Sequence, residues 1–116
     1  MLVPAEYYDE NSVTFEFKNG FSNDNNGTRI IQKNNRVVCY IRAKKNSSFS
    51  ADELAIQLSD VTLAPSASCY GYMRSNDNKI QGILYVNNSG QIHVAPNSSV
   101  SSGEVVVGQV IWDVGK

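Results

Sequence analysis

A chain of 116 residues with 18% charged side chains and a net charge of −1 reads as one domain, long enough to bury a core without metal or disulfide. That balance offers no basic patch for nucleic acid or an anionic membrane surface, so neither partner is expected. No apolar run approaches ~18 residues, and no membrane insertion is expected either.

The chain begins "MLVPAEYYDE", three apolar residues before Pro4 and then acids. It has neither a basic start nor a long apolar stretch, so no signal peptide is expected. Residues 1–26 read as an N-terminal arm with a first strand, and 27–116 as a β-domain. From there short apolar runs alternate with clusters of Asn, Ser, Asp and Gly, which is the rhythm of an all-β chain. The predicted strands are "SVTFEF" (12–17), "TRIIQK" (28–33), "RVVCYIRA" (36–43), "SCYGYMR" (68–74), "KIQGILYV" (79–86), "QIHVA" (91–95) and "EVVVGQVIWDV" (104–114). They are rich in Val, Ile, Tyr and Phe, which suit a pleated, half-buried surface. Asn34-Asn35 and "NNSG" (87–90) fit hairpin links, because Asn and Gly tolerate positive φ.

In "SFSADELAIQLSD" helix and strand compete. Ser50 and Glu53 have capping-box spacing, and Leu54, Leu58 and Val61 follow at helical intervals. Leu54, Ile56 and Leu58 alternate equally well, and the neighbouring strands favour a strand. Cys39 and Cys69 sit inside apolar runs and read as buried free thiols. A disulfide between them is the alternative, and the redox compartment stays open.

Alternation assigns faces. In "SCYGYMR" Cys69, Gly71 and Met73 share a core-like face, and Tyr70, Tyr72 and Arg74 share the other. "KIQGILYV" and the last run are apolar on both faces: Ile83 and Tyr85 oppose Leu84 and Val86, and Val105, Val107 and Ile111 oppose Val106, Val110 and Trp112. A lone sandwich shows a polar outer face, so doubly apolar strands point to a further layer: another subunit, or a loop covering a central strand. The expected interface set is Ile83, Tyr85, Val106, Val110 and Trp112.

Catalytic motifs are absent. His93 stands alone in the sequence, no cysteine pair has zinc spacing, and "NDNNG" (23–27) and "SNDN" (75–78) supply one carboxylate each where calcium wants several. No metal, cofactor or catalytic residue is expected. The face of Tyr70, Tyr72 and Arg74, with Asn76 in the next loop, has the chemistry of a saccharide site: apolar plates flanked by hydrogen-bonding groups. The same residues equally suit a subunit interface.

From Gly27 onward the order of elements resembles the C-terminal head domains of phage tail fibres and baseplate receptor-binding proteins. The likeness lies in the Asn-Asn turn into "RVVCYIRA", a polar loop, "LAP" at 63–65, "KIQGILYVNNSGQIHVA" and a closing β-run. A V-x-x-x-G-x-I-x-V element common in those heads is matched by Val86, Gly90, Ile92 and Val94. The first 25 residues, and the lack of a coiled-coil or triple-helical stem, depart from a full fibre. The resemblance implies a trimeric antiparallel β-sandwich or jelly-roll-like head, made in the bacterial cytoplasm and carried on the virion. It would bind a host-surface saccharide without catalysis. The alternative is a monomeric carbohydrate-binding module of a secreted bacterial protein.

Overall fold

The structure, a computed structural model, describes residues 10–115, so the first nine residues of the expected arm and Lys116 lie outside the described residues. The fold is all-β and antiparallel, as expected. Its strands are β1 (Glu10–Ser12), β2 (Phe15–Phe17), β3 (Phe21–Asn23), β4 (Arg29–Lys33), β5 (Arg36–Lys45), β6 (Glu53–Leu58), β7 (Cys69–Ser75), β8 (Gln81–Val86), β9 (Gln91–Pro96) and β10 (Val105–Asp113). They form one continuous ladder in the order β1-β4-β5-β10-β7-β8-β9-β6-β2, with β3 also on β5. The sheet curls, and its inner face closes over a single core.

Strict alternation builds that core. Val37, Cys39, Ile41 and Ala43 of β5, Met73 of β7, Leu84 and Val86 of β8, and Ile92 and Val94 of β9 all point inward and are buried. Each large aliphatic side chain so buried contributes roughly 1.5–3 kcal/mol before entropy is counted. Val106, Val110 and Trp112 of β10 join them. This corrects the expected interface. Those three lie in the core of the single chain, where Trp112 Nε1 donates to the Leu63 carbonyl at 2.8 Å, and they leave no surface for a partner. The face of β10 that stays accessible is the opposite one.

Glycines let the strands cross closely. A Cβ at Gly71 would run into the Gln109 carbonyl, and one at Gly108 into the Tyr72 carbonyl. Gly71 therefore accommodates β10, its neighbour in the sheet.

Three elements differ from expectation. "SVTFEF" breaks at Val13-Thr14, because Val13 turns inward after β1 and its N–H bonds the Ile30 carbonyl at 2.8 Å. The chain then leaves β4 and pairs as β2 with β6. Short β3 is not foreseen from sequence, and it places Phe21 edge-on to Phe49 at 5.4 Å. In β6 the strand reading holds, but the register shifts between Leu54 and Ile56, so Ala55, Ile56 and Leu58 are all buried. That bulge is why the buried set departs from the simple alternation of Leu54, Ile56 and Leu58.

Candidate binding face

The outer face of the sheet carries the candidate site. β7 has the parity that its sequence predicts: Met73 is buried, while Tyr70 and Tyr72 are 68% and 55% exposed. The register then fixes their neighbours. Tyr72 lies opposite Ile83 of β8 and Gln109 of β10, Gln109 opposite Tyr40 of β5, and Tyr40 opposite Arg29 of β4. At ~4.8 Å per strand, this row from Arg29 to Ile83 runs about 19 Å across the surface.

A second row joins aromatic rings. Tyr70 lies opposite Tyr85, and Tyr85 opposite His93. The Tyr70 and Tyr85 rings are tilted with centroids 5.6 Å apart, and Tyr85 stacks on His93 at 4.9 Å with planes 9° apart. Asp52, in the loop before β6, ties this stack down. One carboxylate oxygen accepts the Tyr85 hydroxyl, and the other lies 2.7 Å from His93 Nδ1. A carboxylate only accepts, so the Nδ1 proton belongs to this contact.

Desolvation first, then the hydrogen bond to Asp52 and the charge of Asp52, push the Tyr85 phenol up to about 12. At neutral pH it is a fixed donor. Among the described residues the hydrogen-bonding partner of the His93 ring is Asp52. The assembly is a braced aromatic plate with a carboxylate at its edge.

Asp52 and His93 were missed as site residues from sequence. A four-residue "NNSG" link would set Tyr85 opposite Ile92; instead Asn87 N–H bonds the Gln91 carbonyl at 3.0 Å, the turn tightens by one residue, and Tyr85 meets His93. Asp52 is 41 residues from His93, and only the β6–β9 pairing brings it in.

The other predicted members are drawn elsewhere. The Arg74 guanidinium donates to the Ser75 and Asn76 carbonyls at 3.2 and 3.4 Å. The Asn76 amide oxygen accepts from Arg42 at 3.5 Å, and Arg42 pairs with Asp24 at 2.9 Å. Both predicted polar partners thus brace loops before they can orient a ligand. Of the expected interface residues, Ile83 and Tyr85 do lie on the outer face, between the tyrosines and His93.

The Asn-rich turns are satisfied internally. Buried Ser75 Oγ donates to Asp77 at 2.6 Å and accepts the N–H groups of Lys79 and Ile80. That Ser75 bond, and then the Lys79 N–H donating to Asp77 at 3.1 Å, hold the Asp77 carboxyl below its usual range. In the 23–27 loop Asn25 and Asn26 take positive φ, and the Asn23 side chain accepts from Thr28 N. Among the described residues no three His, Cys, Asp or Glu side chains converge on a metal position. Cys39 and Cys69 are both free thiols. Cys39 is buried as expected, whereas Cys69, at the start of β7 beyond the reach of its β10 pairing, is only half-buried.

Comparison of the sequence with protein-family models and with curated proteins yields no match.

Proposed function

We propose that this chain is a non-catalytic receptor-binding domain, the head of a phage tail-fibre or baseplate protein, whose outer sheet face holds a saccharide of a bacterial surface. The observation that carries this reading is the pair of exposed tyrosines, Tyr70 and Tyr72, standing on a rigid sheet beside the braced Tyr85–His93 stack. A tyrosine ring offers an apolar plate to a pyranose face, and Asp52 and the tyrosine hydroxyls offer polar partners to its substituents. The head would be sandwich- or jelly-roll-like, carried on the virion as a homotrimer. Shallow sites on three copies then gain affinity by simultaneous engagement. A monomeric carbohydrate-binding module of a secreted protein would use the same face singly.

A glycan array tests this. Wild type should bind a defined set of bacterial glycans, and Tyr72→Ala should weaken that binding about tenfold, the loss of one good aromatic contact, at unchanged mass by light scattering. Absence of any glycan binding by wild type would overturn the reading.

One observation favours a second use of the face. Ile83 and Ile111 are exposed beside the tyrosines, and contiguous apolar surface marks interfaces. If the face joins subunits, Tyr72→Ala lowers the mass in solution instead.

A further inference from the structure

We propose a second site on the outer face, beyond the tyrosine plates: a pocket for an acidic saccharide, a sugar bearing a carboxylate or a phosphate. It rests on the saccharide reading only for the sugar, because the pocket itself lies apart from Tyr70 and Tyr72. The concavity, about 580 Å³, opens at the β4–β5 hairpin end of the sheet. That volume is within the range of small-molecule sites.

Its composition is distinctive for this chain. Ile31, Val38 and Tyr40 line it with apolar surface, while Arg29, Lys33 and Arg36 also face it. Among the described residues lining the pocket, the two arginines are accompanied by one carboxylate, Asp113, in a protein whose net charge is −1. The Arg29 guanidinium stands 5.8 Å from the Tyr40 ring centroid, and among the described residues no carboxylate pairs with it. It is a preformed fork for a planar or tetrahedral anion, oriented by the ring. Arg36 bonds Asp113 at 3.2 Å, but both side chains are about two-thirds exposed, and so solvated a pair yields readily to a second anion. At the hairpin tip the Asn34 backbone carbonyl accepts from Gln32 Nε2 at 3.1 Å, and Asn34 also lines the pocket.

The apolar lining is what selects a sugar over a bare anion. Tyr40 presents a ring to a pyranose face, and the cations at the rim take its acidic substituent. Tyr40 and Tyr72 lie on one row, two strands or ~10 Å apart. An acidic oligosaccharide could therefore touch both sites at once.

Titration of ¹⁵N-labelled protein with glucuronate, glucose 6-phosphate, glucose and inorganic phosphate decides the matter. Either acidic sugar should move the Asn34, Asn35 and Arg36 amides and the Arg29 Nε–H saturably. The tighter of the two identifies the acidic group. Glucose at equal concentration should leave them in place. Arg29→Gln should weaken the response at least ~tenfold, the cost of one charge-assisted bond, while Tyr72→Ala leaves it intact. The pocket is overturned if neither acidic sugar moves these signals, if Arg29→Gln binds as wild type does, or if inorganic phosphate matches the sugars. Movement confined to Tyr70, Tyr72 and Tyr85 would also overturn it while leaving the saccharide reading standing.

Discussion

Val110 and Ile111 are consecutive β-branched residues of the same strand, yet one is 2% exposed and the other 44%. The same contrast repeats in β8 between Leu84 and Ile83, and in β7 between Met73 and Tyr72. Along β7, β8 and β10 both faces carry large apolar side chains, but the curl closes only the inner one. The inner residues are held by folding itself. The outer ones stay about half exposed in the single chain, so replacing them costs it far less.

Charge placed on either side of that divide should separate the faces most sharply. Val110→Asp buries an unpaired carboxylate among Cys39 and its neighbours and should cost about 4 kcal/mol or more, leaving an unfolded or aggregated product. Ile111→Asp should stay within about 0.5 kcal/mol of wild type in urea unfolding. Equal destabilisation by the two would mean that the outer face is already covered.

The glycine that lets β10 cross β7 is the next point of attack. Gly71→Ala forces a methyl against the Gln109 backbone and should cost roughly 1–3 kcal/mol in the same assay. Ser75→Ala removes an acceptor from two loop N–H groups and a donor from Asp77, and should cost about 1–2 kcal/mol.

Much of this was legible because strands alternate. The parity of β7, β8 and β10 follows from period two alone, and so does the contrast between Met73 and Tyr72. What period two cannot give is which face of a doubly apolar strand the fold will close. Val106, Val110 and Trp112 suited a subunit interface by pattern, and became core once β10 took its place between β5 and β7. The break at Val13-Thr14 and the bulge at Ala55 depend on pairings far along the chain, and so does the arrival of Asp52 at His93. The Asn-rich turns were legible in kind, since a short amide side chain that accepts from its own loop needs no distant partner.

Smaller effects sharpen the comparison by ionisation. Burial holds the inner Cys39 thiol at about 12 against an ordinary value of 9.0, and the outer Tyr85 phenol also stands at about 12 against 10.0. Both values are raised in the folded chain, so the unfolded chain releases these protons first. The stability they contribute is complete below the ordinary values and drains away as pH rises toward 12. Cys39→Ala should flatten the loss that begins near pH 9, and Tyr85→Phe only that above pH 10, in unfolding curves taken across this window. The smallest expected difference is kinetic: in native protein an alkylating reagent should modify half-buried Cys69 well before Cys39, with both modified after denaturation, as intact mass will report.

Hydroxyl-radical footprinting read by mass spectrometry bears most directly on the division between the faces. In free protein Tyr70 and Tyr72 should label readily, while Met73 and Trp112, intrinsically more reactive side chains, stay protected. Saturation with a glycan found on the array should then protect the two tyrosines and leave the inner face unchanged. Ready labelling of Met73 and Trp112 in native protein, or tyrosines that remain fully labelled under saturating glycan, would contradict it.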